Sequence, residues 1–212
     1  MPIGLVLEGG GMRGAYTSGV LEVLLENNIE FSTVYGVSAG ACNALSFISK
    51  QKKRNYDIFY KYIADKRYIS IENLRRTGSL FGFDFIFGEL FHNLLPFDYE
   101  TFFNSSTELK VGTTDLKTGR EVFFSKAELD ENFTAVKASS SLPFISNIIS
   151  YRGHELLDGG CAMPIVLERS IFDGNDKSIV VLTRDISFRK NPRPEFPRAA
   201  LRVKFGDYPN FV

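Results

Sequence analysis

Ser38 stands in Gly36-Val37-Ser38-Ala39-Gly40, a G-x-S-x-G element. In such an element the chain turns so sharply between a strand and a helix that side chains two residues either side of the serine would collide. That accounts for the flanking glycines. The turn lifts the hydroxyl out of the sheet and sets it at a helix N-terminus, where the helix dipole favours the charge that builds as a serine attacks a carbonyl. The pentapeptide alone also arises by chance, and a serine that merely caps the next helix is the plainer alternative.

Gly9-Gly10-Gly11-Met12-Arg13-Gly14 allows two chemistries. It fits the G-x-G-x-x-G of a dinucleotide site, which also wants an acidic residue at the end of the second strand to hold the ribose. Here that strand runs into Gly36-Val37-Ser38, and the nearest acid, Glu30, precedes it. The partner is missing. The other chemistry is an oxyanion hole, in which glycine N–H groups unobstructed by Cβ atoms converge on a developing negative charge.

Asp158-Gly159-Gly160 is by itself an ordinary type I′ or II′ turn sequence. The scarcity of bases changes its weight. The chain holds two histidines, His92 and His154, and neither follows Asp158. The Ser, acid, His order of an α/β-hydrolase cannot be written within these residues. An aspartate that takes the serine proton directly is the simplest base left. His154 is four residues from Asp158, which in a strand means roughly 13 Å at about 3.3 Å per residue, too far for a hydrogen bond.

The elements that must carry these residues follow from periodicity. An apolar run over 3–7 reads as a buried strand, 15–27 as a helix with Val20, Leu21, Leu24 and Leu25 on one face, 31–37 as a second strand, and 39–48 as a helix of small residues. Strand, helix, strand, helix predicts an α/β fold with a parallel sheet. The middle, 51–104, is irregular and rich in phenylalanine; Phe81, Phe83, Phe85 and Phe87 alternate, as on one face of a strand. Such a face either packs into the core or lines an acyl tunnel or cap. Beyond it, 109–114 and 121–124 read as a hairpin, 126–138 as a helix, Arg152-Gly153 as a second hairpin turn, and 178–183 as the last strand.

With Lys+Arg 25 against Asp+Glu 25 the formal net charge is zero, which weighs against a nucleic-acid partner. Two cysteines, Cys42 and Cys161, make no disulfide framework, so a reducing, cytoplasmic setting is expected. No basic leader precedes an apolar run at the N-terminus, and no stretch approaches the roughly 20 apolar residues that span a bilayer. Contact with membrane lipid would have to be peripheral. The Pro-rich basic tail from Phe188, with Arg189, Lys190, Arg193, Arg198, Arg202 and Lys204, reads as a solvated loop or as a contact for anionic head groups. At 212 residues one domain over 1–212 is expected. The ending at 207–212 carries no stop signal and leaves open whether the native chain goes on.

Taken together, Glu8 to Gly14, Gly36 to Gly40 and Asp158 to Gly160 resemble the patatin-like phospholipases, whose pattern is a D/E-G-G-G-x-R/K-G loop, a G-x-S-x-G elbow and a D-G-G/A motif. Ala138-Ser139-Ser140-Ser141-Leu142-Pro143 is similar to that family's A-S-x-A-x-P segment, with Ser141 where alanine is usual. The resemblance spans about residues 2–183 and is closest to bacterial members. It implies an open α/β/α sandwich with a mainly parallel central sheet. It implies hydrolysis of acyl lipid esters by a Ser38–Asp158 dyad through an acyl-enzyme, an oxyanion hole at Gly10 and Gly11 with Arg13 beside them, and no metal or organic cofactor. Gly9, Gly14, Gly36, Gly40, Gly159 and Gly160 are its motif glycines. A catalytically silent lipid-binding module of the same fold is the alternative. Which lipid is cleaved, and the oligomeric state, are not written in the motifs.

Overall fold

The computed structural model describes residues 2–189 and 196–212. Its strands are β1 (Ile3–Leu7), β2 (Thr33–Val37), β3 (Glu108–Asp115), β4 (Glu121–Ser125), β5 (Ile149–Tyr151), β6 (His154–Asp158) and β7 (Lys177–Val181). Its helices are α1 (Gly14–Glu26), α2 (Ala39–Ile48), α3 (Arg54–Asp57), α4 (Ile71–Thr77), α5 (Tyr99–Asn104), α6 (Thr134–Ser139), α7 (Leu167–Phe172) and α8 (Arg198–Phe205). Two further stretches, Ile58–Tyr62 and Phe85–Leu94, are π-helical.

All the strands join one sheet. β7, β1, β2 and β3 run parallel in that order, and β4, β6 and β5 extend it antiparallel from the β3 side. Side chains alternate across each strand. Leu5, Leu7, Val34, Leu109 and Val111 face the larger core, with Leu21 of α1, Ala41 and Leu45 of α2, and Val136 of α6. Val6, Tyr35 and Val37 face the opposite way and meet Val166 and Leu167 at the start of α7. Helices thus cover both faces of a central sheet, the expected α/β/α sandwich.

Three expectations are corrected. Phe81 to Phe87 do not form a strand: Phe81 makes a single bridge to Ile69, and from Phe85 the chain is π-helical. The residues from Phe85 on (Ile86, Phe87, Leu90, Phe91) hold a helical apolar spacing that four alternating aromatics had masked. The helix expected over 126–138 is broken into a 3₁₀ turn, Lys126–Glu128, and α6, because Asp130 accepts from Thr134 N–H and starts the second helix afresh. The basic tail is not all loop. Lys190, Pro192, Arg193 and Pro194 lie outside the described residues, but Arg198, Arg202 and Lys204 ride on α8, anchored by buried Phe205 against Leu116 and Leu157.

Candidate active site

Ser38 sits between β2 and α2 with φ 53° and ψ −125°, a backbone conformation that costs an L-residue on the order of 1–3 kcal/mol. The surroundings enforce it. A Cβ on Gly40 would lie 2.3 Å from the Leu7 carbonyl oxygen, and one on Gly36 would lie 2.7 Å from Ala41 N. The Ser38 hydroxyl makes no capping bond to α2, which removes the plainer reading of that residue.

Asp158 ends β6. Its Oδ1 accepts from Gly160 N–H at 2.7 Å as a short 3₁₀ turn begins, and neither Gly159 nor Gly160 has positive φ. It is therefore not the tip of a type I′ or II′ hairpin. That role belongs to Arg152 and Gly153, both with positive φ.

Register brings the serine and the aspartate together. On β3, Gly112 pairs with Phe123 of β4 and Val37 of β2, while Thr113 pairs with Val122 of β4 and Asp158 of β6. A strand has two edges. With β4 along one, β2 and β6 must share the other, meeting end to end. Ser38 is the residue after Val37, and Asp158 stands at the next β3 position along. The junction is tight: a Cβ on Gly159 would lie 2.2 Å from Gly112 O and 3.1 Å from a Val37 methyl. The Asp158 charge also reaches Cys42 on the first turn of α2, although burial is the main cause that pushes this thiol up to about 11, with the Ser140 hydroxyl opposing.

Four residues to which no role was assigned from the sequence hold this corner. The Ser139 hydroxyl accepts from Ser38 N–H at 2.8 Å and donates to Gly112 O at 2.6 Å, tying the elbow to β3. Thr114 Oγ1 donates to Asp158 O at 2.8 Å. Glu8, nearly buried, accepts from the N–H and the hydroxyl of Thr183, fastening the glycine loop to the chain beyond β7. Ser139 and Glu8 lie inside motif segments, and that was the only signal they gave; Thr114 and Thr183 gave none. Ser141 fits in place of alanine by donating to Lys137 O at 2.9 Å, and its own carbonyl accepts from Asp158 N–H at 2.8 Å.

The glycine loop lies against the elbow, since a Cβ on Gly9 would be 3.2 Å from Ser38 Cβ. Gly9 N–H donates to Pro164 O, and Arg13 N–H to Gly10 O. Among the described residues no protein acceptor is paired with the N–H of Gly10 or Gly11. Gly11 has φ +54° and borders a cavity with Ser38. Arg13 points its Nε at Thr183 Oγ1, 3.4 Å away.

That cavity, about 90 Å³, runs from Ser38 along α2 past Cys42 and Asn43, under a wall of Phe81, Phe83, Phe87 and Phe91. His92 stacks on Tyr99 instead. His154 is turned away from the corner: its Nδ1 lies 2.7 Å from Asp115 Oδ2 at the other end of β6. Burial of Asp115 opposes its ionisation, but hydrogen bonds from His154 and Thr118 outweigh that and hold the carboxyl below its ordinary value. Among the described residues no group of three or more His, Cys, Asp or Glu side chains could hold a metal ion.

The fold and the corner define an α/β protein in which a strained serine elbow abuts the turn that follows Asp158. A sequence model described as patatin-like phospholipase matches residues 5–169, so the chain belongs to that family. It is 27% identical over 187 residues to YjjU, an uncharacterised protein of Escherichia coli, covering 85% of this chain and 52% of that protein. It is 29% identical over 175 residues to lysophospholipase NTE1 of Meyerozyma guilliermondii, covering 74% of this chain and 11% of that protein. The chain thus spans about half the length of the first and about a tenth of the second.

Proposed function

We propose that the protein is a serine lipid acyl hydrolase that cleaves carboxylic esters of phospholipids or related acyl lipids. Ser38 Oγ attacks the ester carbonyl as Asp158 takes its proton, and the N–H groups of Gly10 and Gly11 receive the oxyanion. The alcohol leaves with the proton from Asp158, giving an acyl-enzyme. Water then attacks, losing its proton to Asp158, and Ser38 is regenerated as the fatty acid departs. The observation that carries this reading is the abutment of β2 and β6 on one edge of β3. The lysophospholipase among the relatives supports a lipid ester as substrate.

A lipid surface is the natural place of work. Among the described residues no helix is long and apolar enough to cross a membrane. Near the cavity, however, Met12 and Tyr16 stand exposed at the start of α1, and Tyr56 and Tyr60 stack on each other with 54% and 73% exposure. Aromatic rings with a polar tip suit the membrane interface. The test combines a fluorophosphonate probe with lysophospholipid turnover. Wild type should be labelled and active, and Ser38→Ala should be neither. A folded wild type that resists the probe would make the protein a silent lipid-binding module.

A further inference from the structure

We propose that the cavity beside Ser38 is built for a short acyl chain that ends in a carboxylate, with Arg54 as the residue that receives that end. The inference rests on the hydrolase reading, because it assigns the far end of the same acyl site.

Arg54 lines the cavity yet is only 5% exposed, and among the described residues it has no acidic partner within ion-pair distance. Its guanidinium lies 4.2 Å from the centre of the Phe91 ring and 5.2 Å from that of Phe97, so aromatic surface packs against it. Nε and Nη2 both donate to Leu95 O, and Nη1 donates to Ser46 Oγ at 3.1 Å. A guanidinium has five N–H donors. Three are used, which leaves one on each Nη. A buried cation whose charge is not compensated is costly, and the N–H groups left on Nη1 and Nη2 are donors that a carboxylate can accept from. Burial lowers the group to about 10, which still leaves it cationic at neutral pH.

Length agrees with this. Ser46, which Arg54 touches, is eight residues beyond Ser38, or about 12 Å along a helix at 1.5 Å per residue. The cavity's 90 Å³ holds about six to nine water-sized groups at roughly 10–15 Å³ each. Between the two ends the walls are apolar, with Ile58, Phe59, Phe83, Ile86 and Phe87. An acyl chain of about eight carbons matches that length and space. A methyl end would meet a cation there, whereas a carboxylate end would neutralise it.

Two 4-nitrophenyl esters with equal numbers of acyl carbons test this: the octanoate, and the monoester of octanedioate. Wild type should favour the carboxylate-tipped ester in kcat/KM by roughly 10- to 100-fold, the range of a hydrogen-bonded charge pair. Arg54→Met should reverse the preference while still cleaving the octanoate, and Arg54→Lys should keep part of it. An equal or poorer rate on the carboxylate-tipped ester in wild type would overturn the inference, and Arg54 would then be a brace between α2 and Leu95. That wild-type comparison decides the matter even if Arg54→Met does not fold. Calorimetry of Ser38→Ala with monomethyl octanedioate against methyl octanoate separates this from the hydrolase reading. Selective binding of the first would stand though neither aryl ester were cleaved, and equal binding would sink the carboxylate site whatever the turnover.

Discussion

The corner where β2, β3 and β6 meet and the aromatic segment over 54–104 are held together by different forces. In the corner, short polar bonds join side chain to backbone: Ser139 to Ser38 and Gly112, Thr114 and Gly160 to Asp158, Glu8 to Thr183. Each is directional, and together they fix the backbone around Ser38, Asp158 and the glycine loop. In the aromatic segment the contacts are ring on ring, with Phe87, Phe91, Phe97 and Phe102 all within 6.4 Å of Phe133 between centroids. Such packing fills space through tilted and edge-to-face pairs, with no polar atom fixed in place. The long π-helical stretch, closed by Leu95 N–H on Leu90 O, belongs to this second region. A catalytic corner needs atoms held to fractions of an ångström, while an acyl wall needs only an apolar surface of the right volume. Mutations in the first region should therefore act on rate, and those in the second on stability and chain preference.

The largest contrast lies between two residues of β6. Asp158→Asn should lower ester turnover by about 10²–10⁴-fold, the worth of a general base, and His154→Ala should keep most of it. Steady-state kinetics on both folded variants decides this. A dead His154→Ala would put a histidine triad in place of the dyad.

Next comes the aromatic region. Phe87→Ala removes a buried ring and should cost about 3–5 kcal/mol in urea unfolding. The folded fraction should still react with the fluorophosphonate at close to the wild-type rate. If labelling fell in step with stability, the two regions would be one cooperative unit and the contrast would dissolve.

Ser139→Ala probes the corner from behind. Without its hydroxyl, Ser38 N–H and Gly112 O lose their shared partner, at about 1–3 kcal/mol for a buried unsatisfied group. The loss should appear in kcat with KM little changed. A change confined to KM would mean that the elbow holds its shape unaided.

The smallest effect has the opposite sign. Ser38→Gly should be more stable than Ser38→Ala by about 1 kcal/mol, because glycine tolerates φ 53° where alanine does not. Equal melting temperatures for the two inactive variants would show that the elbow relaxes once the hydroxyl is gone.

Motif geometry was legible wherever a local conformation demands a residue type. Gly36 and Gly40 announce the elbow because no side chain fits there, and the alternating strand and helix patterns of 3–48 announce a parallel sheet. The absence of a histidine after Asp158 is likewise a fact of the sequence alone. The aromatic segment misled because four alternating phenylalanines suit a strand face as well as the lead into a helix, and only packing against Tyr68, Phe91 and Phe133 chooses between them. Tertiary structure alone decided that β2 and β6 share one edge of β3. Strand order is settled by contacts between residues far apart in sequence, and Val37, Gly112 and Asp158 carry no mark of their neighbours. The same holds for Arg54. In sequence it only closes a polar run, Gln51-Lys52-Lys53-Arg54. In the fold it is a buried cation beside two stacked phenylalanine rings, because the chain over 85–97 closes over it.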